Sequence, residues 1–263
     1  MGSSISSIAS CSPSSLEETM NSKIFYPPQR NYNIEQLNSQ TCTMFKTYAK
    51  LGETLHFARV TPKNTPNAKK YIILSHGNGG DVYGMISYGQ YLADSLQTVV
   101  ILYDYPGYGH SSGNSSEINC YDSIDAIVHY VQNSLHVNQK DITLMGQSLG
   151  TGIVVDYVSK NEWTSPVILV SPYKSIVTVI YDSSIVAPID KFKSLSKLGN
   201  VSCPVKIFHG DADQLINISH GKTLYENLND KTFKPSWLPG IGHNDILSVL
   251  DLKELQQVIN HNK

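Results

Sequence analysis

The stretch LMGQSLGTG, Leu144 to Gly152, decides the fold class of this chain. Its letters G-Q-S-L-G match the G-x-S-x-G pattern of a nucleophile elbow, in which a serine occupies a sharp turn between a strand and a helix. Such a short pattern recurs by chance, so the flanking residues have to supply both elements. The apolar run ITLMG precedes Ser148, and apolar residues at helical spacing follow from Ile153 to Val158. The flanks therefore predict a strand, a turn and a helix around Ser148.

Further apolar runs predict an α/β fold with a mostly parallel, doubly wound sheet. Continuous runs rich in Val and Ile indicate strands that are covered on both faces. They occur at YIILSH (71–76), VVILYDY (99–105), PVILVS (166–171) and PVKIFHG (204–210). Segments with helical spacing separate them, as parallel strands require. Two earlier runs, TCTMFKTYAK and TLHFARV, flank Leu51-Gly52-Glu53 and predict an antiparallel, hairpin-like start.

The first 40 residues differ in composition from the rest of the 263-residue chain. They are rich in Ser, Asn and Gln and carry no convincing hydrophobic period, so residues 1–40 are expected to be a flexible, mostly disordered extension. Pro27 and Pro28 favour an extended path that can follow the domain surface. Residues 41–263 are expected to form one catalytic domain, because α/β domains commonly reach this size.

Composition excludes several classes of function. The net charge is −2 and Lys and Arg form no block, which argues against a nucleic-acid partner. Four scattered cysteines without a C-x-x-C pair suggest neither a zinc site nor a disulfide framework, and they favour a reducing, cytoplasmic compartment. The apolar runs are too short to span a membrane, and the N-terminus lacks a secretory signal. We expect the chemistry to need no metal and no cofactor.

Two residues late in the chain can activate Ser148. A serine hydroxyl is a poor nucleophile near neutral pH and needs an oriented base. Asp213 follows the strand PVKIFHG, and His243 follows WLPGIG at the end of a predicted last strand. The order Ser, Asp, His and the positions after strands predict that the three side chains meet at one edge of the sheet. Asp211 is the alternative acid, and Asp213 is preferred for its spacing from the strand.

The expected roles follow from acyl-transfer chemistry. Ser148 attacks an acyl carbonyl, His243 takes the serine proton and passes it to the leaving group, and Asp213 orients His243. The tetrahedral oxyanion needs two N–H donors. We expect these to be the backbone amides of Leu149, directly after the nucleophile, and of Asn78 in the HGNGG loop.

Several segments together resemble a known family. HGNGGD, YDYPGYGHSSG, GQSLGTG, HGDAD and GIGHND occur in the order seen in α/β-hydrolase-fold serine hydrolases. They look most like the α/β-hydrolase-domain-containing protein 17 family, whose members are acyl-protein thioesterases that remove palmitate from membrane-associated proteins. The resemblance covers roughly residues 71–261. It implies the same triad of Ser148, Asp213 and His243 and a short cap segment of about 30 residues before PVKIF.

The N-terminus departs from that family, which begins with a palmitoylated cysteine cluster. This chain starts MGSSISSIASCS, in which Gly2 and Ser6 meet the M-G-x-x-x-[ST] pattern for N-myristoylation. A single myristoyl chain gives only marginal membrane binding, so a second signal is needed. Cys11 is the candidate palmitoylation site. An unmodified Ser-rich tail is an equally weighted alternative.

The expected function is therefore a serine hydrolase of acyl esters or thioesters. Protein S-palmitoyl thioesters are the leading substrate, and the expected partners are acylated proteins or lipid esters at the cytoplasmic face of a membrane. The alternative enzyme is a small-molecule or lipid carboxylesterase. A noncatalytic α/β-hydrolase scaffold is the alternative of another class, and the presence of all three triad candidates argues against it.

Overall fold

The structure, a computed structural model, describes residues 13–180 and 190–261. The predicted lipidation sites Gly2 and Cys11 lie outside these residues. The described residues include one eight-stranded sheet of order β1-β2-β4-β3-β5-β6-β7-β8. The strands are β1 (Cys42–Tyr48), β2 (Thr54–Val60), β3 (Tyr71–Ser75), β4 (Val99–Tyr103), β5 (Ile142–Gln147), β6 (Val167–Val170), β7 (Val205–Gly210) and β8 (Ser236–Leu238).

The direction of the strands agrees with the predicted fold class. β2 is antiparallel to both β1 and β4, and every later pair in the sheet is parallel. The antiparallel start and the mostly parallel sheet are thus confirmed. The carboxyl ends of β3, β5, β6 and β7 therefore meet at one edge, where ligands bind in open α/β sheets.

Helices cover both faces of this sheet. The helices are α1 (Pro13–Ile24), α2 (Val82–Leu96), α3 (Glu117–Asn133), α4 (Leu149–Lys160), α5 (Ile176–Ile180), α6 (Ser194–Lys197), α7 (Ser219–Glu226) and α8 (Leu252–Ile259). Apolar side chains of α3 and α4 join one buried cluster with one face of the sheet, and those of α2 and α8 join a second cluster on the other face. Burial on both faces explains why the central strands are almost wholly apolar.

The segment before residue 40, which its composition predicts to be mostly disordered, is described from Pro13 onward. Within the described residues it contains α1, and a short 3₁₀ helix at Ile34–Leu37 whose first turn is capped by Asn33. Ile24 and Phe25 are buried, and the Phe25 ring lies 6.1 Å from that of Phe192. Two adjacent apolar side chains are too few to produce a periodic pattern, yet they suffice to hold the segment on the domain surface.

The connection between β6 and β7 is the expected short cap. Its described residues include α5, directly after the end of β6, and α6, which continues into a 3₁₀ turn at Leu198–Asn200 before β7. α5 places Ile176 and Val179 beside Ser148, in the lining of one pocket. The cap thus contributes a wall to the site described next.

Candidate active site

Ser148 lies on the turn between β5 and α4 with a backbone conformation that non-glycine residues rarely adopt. Its φ is 50° and its ψ is −118°, a strained combination of the kind found at functional sites. The two glycines of the motif make this turn possible. A Cβ on Gly146 would lie 2.6 Å from the Gly150 carbonyl oxygen, and a Cβ on Gly150 would overlap the carbonyl oxygen of Ser75. Both positions therefore require glycine.

The structure brings Ser148, His243 and Asp213 together. His243 Nε2 lies 3.1 Å from Ser148 Oγ, and His243 Nδ1 lies 2.7 Å from Asp213 Oδ2. Ser148 follows β5, Asp213 follows β7, and His243 follows β8 after the turn at Gly240, whose φ is 70°. With the proton on Nδ1, the ring donates to Asp213 and presents Nε2 as the base toward the serine hydroxyl.

Local hydrogen bonds keep Asp213 ionised and in place. Its Oδ1 accepts the N–H groups of Leu215 at 3.0 Å and Ile216 at 2.7 Å. Burial by itself raises the pKa of the Asp213 carboxyl, but the hydrogen bonds from His243 and Ile216 outweigh burial, so that its pKa lies below the ordinary value. Asp211, the alternative acid, is exposed and accepts the Gly240 N–H at 2.6 Å instead.

A second histidine lies behind the acid. His209, at the end of β7, is buried, and its Nε2 lies 2.8 Å from the Ile216 carbonyl oxygen and 3.6 Å from Asp213 Oδ2. Burial lowers the pKa of the His209 ring, so the ring is neutral and donates to Ile216. It therefore supports the turn that carries Asp213. The motif HGDAD, which contains both His209 and Asp213, is the sequence signal from which this supporting role could have been predicted.

The two expected oxyanion donors flank Ser148. Leu149 is the first residue of α4, where backbone N–H groups lack partners within the helix. Asn78 belongs to the loop after β3, and a Cβ on Gly77 of that loop would lie 3.6 Å from Ser148 Cβ. The Asn78 side chain points the other way, because its Oδ1 accepts the Tyr26 N–H at 3.0 Å. Any donation by Asn78 to an oxyanion must therefore come from its backbone.

Two tyrosines of YDYPGYG hold the loop that contains Asn78. Tyr105 donates its O–H to the His76 carbonyl at 2.7 Å, and Tyr108 donates to Asn78 Oδ1 at 2.6 Å. The sequence suggests only a tight turn for this segment, so their supporting role emerges from the structure. Burial lowers the pKa of the His76 ring to about 4, which leaves that ring neutral beneath the loop.

An apolar pocket opens beside Ser148. Its volume is about 160 Å³, and its lining includes Asn78 and Leu149 together with Tyr173, Ile176 and Ile216. His110, in the loop after β4, does not line this pocket. Its Nε2 lies 3.2 Å from the Tyr32 carbonyl oxygen. Among the described residues, His, Cys, Asp and Glu side chains form no group of three or more that could hold a metal ion.

The fold and these residues define a class of protein, and comparison with known proteins agrees with it. A family profile described as alpha/beta hydrolase fold matches residues 70–179. A protein of Acanthamoeba polyphaga mimivirus named as alpha/beta hydrolase L404 is 47% identical over 251 residues, which are 95% of this chain and 95% of that protein. The chain therefore belongs to the α/β hydrolase family.

Within that family, the chain is similar to one named group and to solved esterases. Human Alpha/beta hydrolase domain-containing protein 17C is 38% identical over 198 residues, which are 74% of this chain and 60% of that relative. The chain thus spans less than two thirds of this relative's length. The esterase Pf2001 of Pyrococcus furiosus superposes with a TM-score of 0.69 at 15% identity, covering 89% of this chain and 94% of that one. At that identity, the likeness concerns the fold.

Proposed function

We propose that this protein is a serine hydrolase that cleaves acyl esters or thioesters through an acyl-enzyme, with protein S-palmitoyl thioesters as its leading substrates. The observation that carries this proposal is the hydrogen-bonded series Ser148, His243, Asp213 beside an apolar pocket. An apolar pocket suits a hydrocarbon chain. The chain is 38% identical to a protein named Alpha/beta hydrolase domain-containing protein 17C, and the sequence resemblance to that family implies thioester substrates.

In the acylation step, His243 Nε2 takes the Ser148 proton while Oγ bonds to the acyl carbon. The resulting oxyanion is held by the backbone N–H groups of Leu149 and Asn78. Collapse of this intermediate breaks the bond to the thiol or alcohol, which receives the proton from His243. A water molecule then attacks the acyl-enzyme with His243 again as the base, and the carboxylic acid is released. Asp213 stabilises the cationic ring in both steps.

The proposal is tested first by covalent labelling with a fluorophosphonate probe. Wild type should be labelled, and a folded Ser148→Ala variant should not. Ser171→Ala is the matched control, because Ser171 is also buried with positive φ at the end of a neighbouring strand but is not the proposed nucleophile. Absence of labelling in folded wild type would favour the noncatalytic scaffold, and labelling that survives Ser148→Ala would identify a different nucleophile.

The small pocket favours the carboxylesterase as the second candidate. Its volume of about 160 Å³ is below the roughly 300–1,000 Å³ of sites that enclose drug-sized ligands. Assaying a palmitoyl-thioester peptide beside a short-chain ester separates the two candidates. Turnover of the ester without turnover of the thioester would reject depalmitoylation and retain the esterase.

We further propose that Gly2 and Cys11 carry lipids that attach the protein to the cytoplasmic face of a membrane. No helix among residues 13–180 and 190–261 is long and apolar enough to cross a membrane. Two lipid signals are needed for stable attachment, so Gly2→Ala and Cys11→Ser should each move the full-length protein from the membrane to the soluble cell fraction. Equal distribution of wild type and both variants would reject the anchor.

A further inference from the structure

A segment from the N-terminal side of the domain lines part of the pocket at the candidate active site. We call residues Lys23–Tyr32 the strap. At its start, the Ile24 carbonyl accepts a hydrogen bond from Asn78 Nδ2, and the Tyr26 N–H donates to Asn78 Oδ1 at 3.0 Å. The side chain of Asn78 thus binds the strap on both sides of Phe25, which is itself buried. The strap is therefore joined to the loop that carries a proposed oxyanion donor.

The far end of the strap is attached to the other side of that loop. The Tyr32 ring stacks on Tyr83 with the centroids 4.5 Å apart, and its O–H donates to Asp81 Oδ2 at 3.2 Å. His110 Nε2 lies 3.2 Å from the Tyr32 carbonyl oxygen. Asp81 caps α2 directly after the oxyanion loop. Contacts at both ends therefore fix the strap, whose first residues line the pocket beside Ser148.

The strap supplies part of the pocket lining. Ile24 contributes a buried side chain, whereas Tyr26 and Leu215 contribute large apolar side chains that are 61% and 59% exposed. α5 contributes Ile176 and Val179. The pocket thus has buried lining near the nucleophile and continues into an exposed apolar rim, where Tyr26 and Leu215 line the same cavity as Ser148.

We propose that the strap is the outer wall of the acyl-binding site and selects long acyl chains over short ones. The first carbons fill the pocket beside Ile24, and a longer chain continues over the rim between Tyr26 and Leu215. Because the pocket holds only about 160 Å³, a chain of palmitoyl length has to continue beyond it, and the apolar side chains at its rim give that chain a surface. This inference rests on the proposed acyl hydrolase activity and assigns its specificity to the strap.

The test compares two bulky substitutions on the strap of the full-length protein. Ile24→Trp fills the pocket, and Gln29→Trp places the same side chain at an exposed strap position outside the lining. Peptide thioesters with acetyl, octanoyl and palmitoyl groups are assayed for kcat/KM. The palmitoyl-to-acetyl ratio should fall about tenfold or more in Ile24→Trp, as expected for loss of a hydrophobic subsite. In Gln29→Trp the ratio should stay within about twofold of wild type.

A second pair of variants covers the case in which Ile24→Trp does not fold, as judged by circular dichroism. Tyr26→Ser removes an exposed rim side chain and keeps the backbone bond to Asn78, and Tyr48→Ser is its control because Tyr48 is 65% exposed in β1. Tyr26→Ser should lower the palmitoyl-to-acetyl ratio about threefold or more. If wild type hydrolyses the thioesters and the palmitoyl-to-acetyl ratio is the same in the variants and their controls, the strap inference is wrong and the proposed hydrolase activity stands. Absence of turnover of all three thioesters by wild type would instead contradict the proposed thioesterase activity.

Discussion

The two sides of the apolar pocket are built in different ways. The inner side, around Ser148, is fixed by backbone: strand ends, a strained turn, and glycines that leave no space for a Cβ. The outer side, formed by the strap and α5, is held by a few side chains and ends in the exposed Tyr26. The difference implies that substitutions on the inner side disturb the arrangement around Ser148. Substitutions on the outer side should change the fit of the substrate and leave that arrangement intact. The following predictions test this contrast.

The largest effect is expected from the acid on the inner side. Asp213→Asn removes the charge that orients His243 and should lower kcat by about 10³–10⁴-fold, as loss of a triad carboxylate does elsewhere. Asp211→Asn is the matched control two residues away, because Asp211 bonds to Gly240 and not to His243. Its kcat should change less than about threefold. Equal losses in the two variants would mean that the turn, and not the Asp213 charge, matters.

A backbone substitution at the elbow should have the next largest effect. Gly150→Ala brings a Cβ onto the Ser75 carbonyl oxygen, so the strand, the turn or α4 must move. We expect the free energy of unfolding to fall by about 3 kcal/mol or more, and ester turnover by about 100-fold. Gly199→Ala is the control, because its Cβ would meet no described atom within 4 Å. Denaturant unfolding measures both, and a neutral Gly150→Ala would contradict a rigid inner side.

Asp104, a buried carboxyl beside the start of α2, gives the stability a pH dependence. It is buried beneath the oxyanion loop, where its Oδ1 accepts the Val82 N–H at 2.8 Å. Burial, together with the neighbouring Asp81 carboxylate, raises the pKa of Asp104 to about 7. The unfolded chain loses this proton near the ordinary pKa of 3.8. Stability should therefore fall as the pH rises from about 4 to about 7, and change no further above pH 7 through this group.

Asp104→Asn should remove this part of the pH dependence. The Asn oxygen can still accept the Val82 N–H, while the cost of a buried charge disappears. Three pKa units correspond to at most about 4 kcal/mol. The decrease in the free energy of unfolding from pH 5 to pH 8 should therefore be smaller in Asp104→Asn than in wild type, by a measurable part of that amount. Asp125→Asn, at the protein surface beside Lys50, should leave the fall unchanged. Parallel profiles for wild type and Asp104→Asn would reject a raised pKa.

The smallest effect is expected on the outer side. Tyr32→Phe removes the hydrogen bond to Asp81 and keeps the stacking on Tyr83. The global free energy of unfolding should change by about 1 kcal/mol or less. Hydrogen exchange at the Tyr26 amide, which is bonded to Asn78, should nevertheless become faster, because the strap opens locally. An unchanged exchange rate would mean that the strap is held as firmly as the inner side.

The parts of the fold that short-range patterns could predict are those set by local chemistry. Val- and Ile-rich runs predicted the central strands, and G-Q-S-L-G predicted the turn, because Gly146 is crowded by Gly150 within the same five residues. The two prolines predicted only that the strap follows the domain surface; the burial of Phe25 against the distant Phe192 leaves no periodic pattern and could not be predicted. Tyr105 and Tyr108 were missed as supports for the same reason: their acceptors lie in the loop after another strand.

The sequence by itself determined the class of fold and the order of strands and helices, and it predicted Ser148, Asp213 and His243 as the side chains for acyl-transfer chemistry. Local sterics and hydrophobic burial determine these features, and both can be read over a few residues. Only the tertiary structure decided the contact of Ser148 with His243 across 95 residues of chain, the 2.7 Å contact of Asp213 with the ring, and the place of the strap in the pocket lining. These are long-range contacts, and they depend on how the parallel strands bring their ends to one edge of the sheet.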